Sequence, residues 1–216
     1  MIELRPDLRA IADAVAPGSR VIDIGCGDGE LLAALRTGKG VDARGLEIDP
    51  LCVERCVAQG LSVIQGDAGR DLADYPDRAF DYAVLSQTLQ TTDRPDLMLE
   101  QLLRVGRRAF VSFPNFAHWR TRAGLMFGGR MPVNRAIPVS WYETRNIHHL
   151  TIADFRDLAR ARGARIERQW FFSGEAPVYR AVNLRAEFAV FLLSRAAAHQ
   201  ADDAERTPAS EPAGRG

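Results

Sequence analysis

The first 113 residues alternate short apolar runs with helical patterns, and this rhythm constrains the fold more than any other feature of the chain. Pro6 to Val15 reads as an opening helix closed by Pro17-Gly18. Arg20 to Ile24 reads as a buried strand. Asp28 to Leu35 follows as a helix with Leu31, Leu32 and Leu35 on one face, stopped near Gly38 and Gly40. Ala43 to Ile48 is a second strand, and Pro50 to Ala58 a helix with proline in its first turn and Gly60 beyond its end. Leu61 to Gln65 and Phe80 to Ser86 supply two more strands. Asp93 to Arg104 is a helix with Asp93 as its expected N-cap, and Arg108 to Phe113 is a fifth strand. Strands separated by helices are joined by right-handed crossovers, so the sheet is mostly parallel and the fold class is α/β.

The rhythm breaks over residues 114–150, which are rich in Arg, Pro and aromatic residues and read as an insert or cap. A helix from Ile152 to Arg162, started by Thr151 and stopped at Gly163, restores it, and a strand from Arg165 to Phe172 follows. Ala186 to Leu193 is ambiguous by period alone; its Phe and Val content favours a strand that partners an otherwise open sheet edge. These elements predict one domain over residues 1–198. The polar, Pro-, Ala- and Gly-rich composition of residues 199–216 predicts a disordered tail. With 216 residues and 46% apolar content, the chain can bury one sizeable core.

Formal net charge is zero, which argues against a general nucleic-acid binder. The neutral total hides a gradient. Residues 1–100 carry 18 acids against 10 bases, whereas residues 101–142 carry seven arginines and no acid. No run approaches the ~20 apolar residues of a membrane span, and Met1 to Pro6 lacks a signal layout. Cys26, Cys52 and Cys56 show neither zinc spacing nor a paired framework, which fits a reducing cytoplasm. The four histidines form no HxxxH pair, so no metal is expected.

In open parallel sheets, ligands sit at the carboxyl ends of strands near the point where strand order reverses. Four motifs fall at such ends. The first is Asp23-Ile24-Gly25-Cys26-Gly27-Asp28-Gly29. Its glycines permit a tight turn and close approach of a ligand. A dinucleotide fingerprint needs a third glycine where Glu30 stands. Asp23, Asp28 and Glu30 around the loop repel a pyrophosphate and attract a ligand carrying an amine and a sulfonium, such as S-adenosylmethionine. The second motif is Gly45-Leu46-Glu47-Ile48-Asp49, with Glu47 22 residues after Gly25, placed to accept ribose hydroxyls with Ile48 beside it. The third is Gly66-Asp67-Ala68, where Asp67 can accept from an adenine amine and the Ala68 N–H can face a ring nitrogen. The fourth ends in Ser86-Gln87, under the sulfonium and methionine end. Each residue also has a plain reading. Asp23 can satisfy loop amides, Asp28 and Asp67 can be helix caps, and Glu47 can be a solvated strand end. Four motifs in order at successive strand ends favour the cofactor.

With these residues in view, the chain resembles the class I methyltransferase superfamily over roughly residues 5–195, and within it the MetW family of methionine-biosynthesis proteins. The closer resemblance rests on RPDLRAIADAV at 5–15, VIDIGCGDGELL at 21–32, VIQGD at 63–67, FDYAVLSQTLQ at 80–90, RVGRRAFVSFPNFAHWR at 104–120, GRMPV at 129–133 and the WYET…NIHHLT stretch at 141–151. Thr91-Thr92-Asp93 after SQTLQ departs from the pattern in a loop. The resemblance implies a three-layer αβα Rossmann-like fold with a seven-stranded, mostly parallel sheet and an antiparallel last strand. It implies S-adenosylmethionine or S-adenosylhomocysteine as cofactor and a role beside homoserine O-acyltransferase (MetX-type). By position, the superfamily's cofactor site falls on Asp23, Gly25, Gly27, Glu47, Asp67 and Ala68, with Ser86 and Gln87 adjoining.

Methyl transfer from a sulfonium needs alignment and water exclusion more than a base, so a missing triad does not exclude an enzyme. Asn115, His118, Trp119, Tyr142, His148 and His149 are candidates for an acceptor site, and His118 for a base. The plain alternatives are that His118-Trp119 packs the insert on the sheet and that His148 caps the following helix. Arg107, Arg108, Arg120, Arg122, Arg130 and Arg135 read as a solvated surface balanced by the acidic half, as a clamp for an anionic acceptor or as a docking face for an acidic partner; the interleaved Trp, Tyr and Met favour partner docking, and nucleic acid fits less well. Oligomeric state stays open. Three functions remain: a cofactor-binding partner of the acyltransferase, an independent small-molecule methyltransferase, and a nicotinamide-dependent oxidoreductase, which Glu30 and the acidic loop disfavour.

Overall fold

In the computed structural model, which describes residues 4–134 and 137–196, α1 (Pro6–Ala14) precedes four βα units. These are β1 (Arg20–Ile24) with α2 (Glu30–Lys39), β2 (Asp42–Glu47) with α3 (Pro50–Ala58), β3 (Ser62–Gln65) with the single turn α4 (Ala68–Asp71), and β4 (Phe80–Ser86) with α5 (Pro95–Val105). Next come β5 (Gly106–Pro114), α6 (Trp119–Gly128), α7 (Ile152–Ala161), β6 (Ala164–Ser173), the two-residue β7 (Ala176–Pro177), α8 (Val182–Arg185) and β8 (Phe188–Arg195). The eight strands form one sheet in the order β3-β2-β1-β4-β5-β8-β6-β7. The pairings β1–β2, β2–β3, β1–β4 and β4–β5 are parallel; β8 runs antiparallel to β5 and β6. The eighth strand, beyond the seven expected, is β7, which pairs only with the end of β6.

A period of two divides the core. Val21, Tyr82, Val84 and Phe110 face α1 and α2, where they pack with Leu8, Ile11, Leu31 and Leu35. Their neighbours Ile22, Ile24, Ala83, Leu85 and Val111 face the opposite layer and pack with Leu99 of α5 and Phe155 of α7. The same parity aims Asp23, Ser86 and Ser112 toward α1 and α2.

Several boundaries differ from the sequence expectation for identifiable reasons. α2 starts at Glu30 rather than Asp28 because Gly29, at φ +79°, sits in the left-handed region that a helix cannot cross. It continues past Leu35 to Lys39, where Gly40 ends it. α5 starts at Pro95, so Asp93 is not its N-cap; Arg94 holds that position without a side-chain bond. A residue before proline is biased away from helical torsions, and Arg94 is at φ −130°, ψ 80°. The strand expected at Ala186 to Leu193 runs from Phe188 to Arg195 and lies inside the sheet, between β5 and β6, rather than at its edge. Thr151 caps α7 in a reciprocal capping box with Asp154, so His148 is not the cap. The tail expected over 199–216 and Arg135 of the insert lie outside the described residues. Among the described residues, no helix is long and apolar enough to cross a membrane.

Candidate functional site

Strand order reverses between β1 and β4: the chain builds β2 and β3 on one flank of β1, then returns to place β4 on the other. At this point the turn after β1, the ends of β2 and β3, and the turn after β4 lie side by side. Gly25 and Gly27 bend the first turn at φ +69° and +54°. A Cβ on Gly25 would lie 2.6 Å from Thr88 Oγ1, so the two turns approach as closely as glycine allows. Over Gly27 the corresponding space is open.

Two carboxylates are buried here. Glu47 ends β2; its Oε2 accepts the Gly27 N–H at 2.8 Å, and its Oε1 accepts the Ile48 and Asp49 N–H groups, each at 2.9 Å. It braces the glycine turn against β2 rather than standing solvated. A carboxylate offers about four acceptor sites, so about one remains for a ligand. Asp23 is 2% exposed, and its Oδ1 has no hydrogen-bond partner among the described residues. Burial, then the neighbouring Glu47 charge, pushes its carboxyl up to about 7, partly offset by Arg5. An unpartnered carboxylate beside a second one is a site that a cation would stabilise.

The remaining sequence candidates fall as follows. Asp28 does not add an unpaired charge to the loop: it binds Arg55 of α3 at 2.6 Å, and Glu30 points to solvent. Cys26 lies beside Cys56, and burial pushes its thiol far up, so it is a neutral wall rather than a nucleophile. Ile48 is exposed at the end of β2. Asp67 caps α4 by accepting the Gly69 N–H at 2.9 Å; its other oxygen has no partner among the described residues. Ala68 packs against the core. Ser86 and Gln87 lie at the end of β4, where both side chains donate to Asp7 at 3.2 Å.

Asp7 was not foreseen. It is 3% exposed, accepts also from Ser112 at 3.0 Å, and pairs with Arg5 at 3.4 Å. It ties α1 to the ends of β4 and β5. The available signal was an acid on the apolar face of α1, four residues before Ile11 and beside Leu8.

The acceptor candidates do not converge. Asn115 is buried; its Nδ2 donates to the Asn183 and Ala186 carbonyls, and its Oδ1 accepts from the Ala117 and Ile152 N–H groups. Both donors and both acceptor positions are committed. His118 is 4% exposed at the start of α6, where burial pushes its imidazole down. Glu187, also buried and likewise unforeseen, opposes that shift. Trp119 is half-exposed, Tyr142 is exposed against Trp141, and His149 stacks on Phe116. The His148 Nε2 is buried with no partner among the described residues. No group of three or more His, Cys, Asp or Glu residues that could hold a metal ion occurs among the described residues.

The sheet order is that of the class I methyltransferase fold. A methyltransferase of this type from Archaeoglobus fulgidus superposes with a TM-score of 0.67 at 16% identity, covering 87% of this chain and 91% of that one. The chain belongs to the MetW family: the model described as "Methionine biosynthesis protein MetW" matches residues 5–193. The bifunctional methionine biosynthesis protein MetXA/MetW of Rhodopirellula baltica is 34% identical over 180 residues, 79% of this chain and 29% of the relative. A 2-ketoarginine methyltransferase of Streptomyces arginensis is 35% identical over 133 residues, 61% of this chain and 34% of the relative. The matches therefore span about a third of the length of these curated relatives.

Proposed function

We propose that the crevice between β1 and β4 binds S-adenosylmethionine and that the chain acts in methionine biosynthesis together with a homoserine O-acyltransferase. The observation that carries the cofactor assignment is the unpartnered Asp23 Oδ1 beside Glu47, under a glycine turn with open space over Gly27. Two buried carboxyl groups offset only in part by Arg5 fit a sulfonium and an ammonium and oppose a pyrophosphate. In this reading the free acceptor site of Glu47 holds a ribose hydroxyl. Ile48 covers one face of the adenine, Asp67 and Ala68 read its edge, and Ser86 and Gln87 floor the methionine end. When bound, the cofactor supplies an electrophilic methyl group. The residues bind, orient and exclude water.

The partner assignment is supported by the bifunctional MetXA/MetW relative, in which both parts share one protein. Ligand-dependent association would let the cofactor pocket report pathway status to the acyltransferase by linkage. A second reading, an independent small-molecule methyltransferase, is favoured by the 2-ketoarginine methyltransferase relative and by buried His118, whose imidazole burial pushes down against the opposing Glu187 charge.

Calorimetry with S-adenosylmethionine, repeated with purified acyltransferase present, tests the reading. Expected are binding to the chain alone, an altered affinity in the mixture and a changed acyltransferase rate. Gly25→Val, whose side chain would collide with Thr88, is expected to abolish cofactor binding while the sheet stays folded by circular dichroism. No cofactor binding by the parent chain would overturn the pocket. Steady release of S-adenosylhomocysteine with a small acceptor and no effect on the acyltransferase would establish the second reading instead.

A further inference from the structure

Residues 119–134 and 137–147 leave large apolar side chains without a cover among the described residues. α6 buries only Thr121, while Met126 is 72% and Phe127 81% exposed. Beyond it, Val133 is 62% exposed and Trp141 and Tyr142 are each 71% exposed. Five large apolar side chains exposed within one short segment, rather than scattered singly, mark an interaction site. Leu125, Met126 and Phe127 are consecutive and exposed, so they wrap around the helix rather than forming one stripe. A helix lying in a membrane interface needs a single stripe with a polar back, so the pattern favours a protein over a lipid surface.

The charge around the patch identifies the kind of protein. Arg120, Arg122, Arg130 and Arg145 stand against the single acid Glu143 in this segment. Arg130 and Arg145 have no acidic partner among the described residues. Arginine with Trp, Tyr, Phe and Met is the composition of interface cores, and an unanswered cationic rim selects an acidic opposing rim. A stable interface engages about 20–30 residues per side, which a segment of this length can supply.

We infer that α6, with residues 129–134 and 137–147, forms the docking face for the acyltransferase, whose matching surface has an apolar centre and an acidic rim. The inference rests on the partnership proposed above. The MetXA/MetW relative supplies the reason for choosing this occupant over a second copy of the chain: where the two parts are separate proteins, they must meet in trans.

The test titrates the full chain with purified acyltransferase by biolayer interferometry. Phe127→Ser combined with Trp141→Ser removes the apolar centre; Arg130→Glu combined with Arg145→Glu reverses the rim. Each pair is expected to weaken binding by about tenfold or more, the scale of interface hot spots. Cofactor affinity and melting temperature are expected to stay unchanged, and parental binding to weaken with salt. The charge pair lies on exposed side chains, so it remains informative if the apolar pair folds poorly. Parental binding with no loss in either folded pair would overturn this docking face and leave the partnership standing. No parental binding at tens of micromolar would overturn the partnership itself. Self-association, or binding to anionic vesicles, that is lost in the same variants while acyltransferase binding persists would assign the face to that occupant and overturn the inference.

Discussion

Asp23 is the residue whose chemistry depends most on its surroundings. Its carboxyl, ordinarily near 3.8, is held near 7 chiefly by burial. Between these values the folded chain keeps a proton that the unfolded chain has released, so stability falls as pH rises through the window. Asp23→Asn removes the titration. At about pH 8 the variant is expected to be more stable than the parent by about 1–3 kcal/mol, with little difference at about pH 4. Urea denaturation at both pH values reads this, and an equal difference at the two would show that Asp23 is not the titrating group. The same variant should bind S-adenosylmethionine less tightly. Glu47 acts through structure as well as ligand, because it holds three backbone N–H groups. Glu47→Ala is therefore expected to lose about 1–3 kcal/mol of stability, and a similar amount of cofactor binding in calorimetry.

At the scale of elements, helix starts follow the residues that can cap them. Thr151 and Asp154 satisfy each other's backbone N–H groups at the start of α7, whose Ile152, Phe155 and Ala159 are buried. Thr151→Ala should cost about 1 kcal/mol in urea denaturation. Asp93→Ala should change stability by less than about 0.5 kcal/mol, because Pro95 sets the start of α5 without it. The strands were legible from their apolar runs, and β4 from Phe80 to Ser86 matches its expected limits. β7 was not legible, because two residues carry no period. β8 was legible as a strand but not by position: an apolar octapeptide does not reveal whether it has one neighbour or two. Its pairing with β5 on one side and β6 on the other, with Phe191 stacked on Phe113, puts it inside the sheet.

At the scale of the molecule, Asn115 joins β5, the start of α6, the start of α7 and the approach to β8 through four hydrogen bonds. Asn115→Ala leaves two carbonyls and two N–H groups without their partner and is expected to destabilise the fold by about 3 kcal/mol or more. Urea denaturation measures that loss. If stability is unchanged, Asn115 is not the pin described here. The α/β class, the glycine turn and the order of motifs along strand ends were determined by the sequence alone. They follow from a period of two, a period of 3.6 and the torsional freedom of glycine, all of which act within a few residues. Only the tertiary structure decided that Asp7 ties α1 to the ends of β4 and β5, that Asp28 is answered by Arg55, that Asn115 has no bond left for a substrate and that the Glu187 charge acts on His118. Those outcomes depend on contacts between residues as far apart as Asp7 and Ser112, separated by 105 positions. No local periodicity encodes such a contact; it exists only after the sheet has set which side chains share a face.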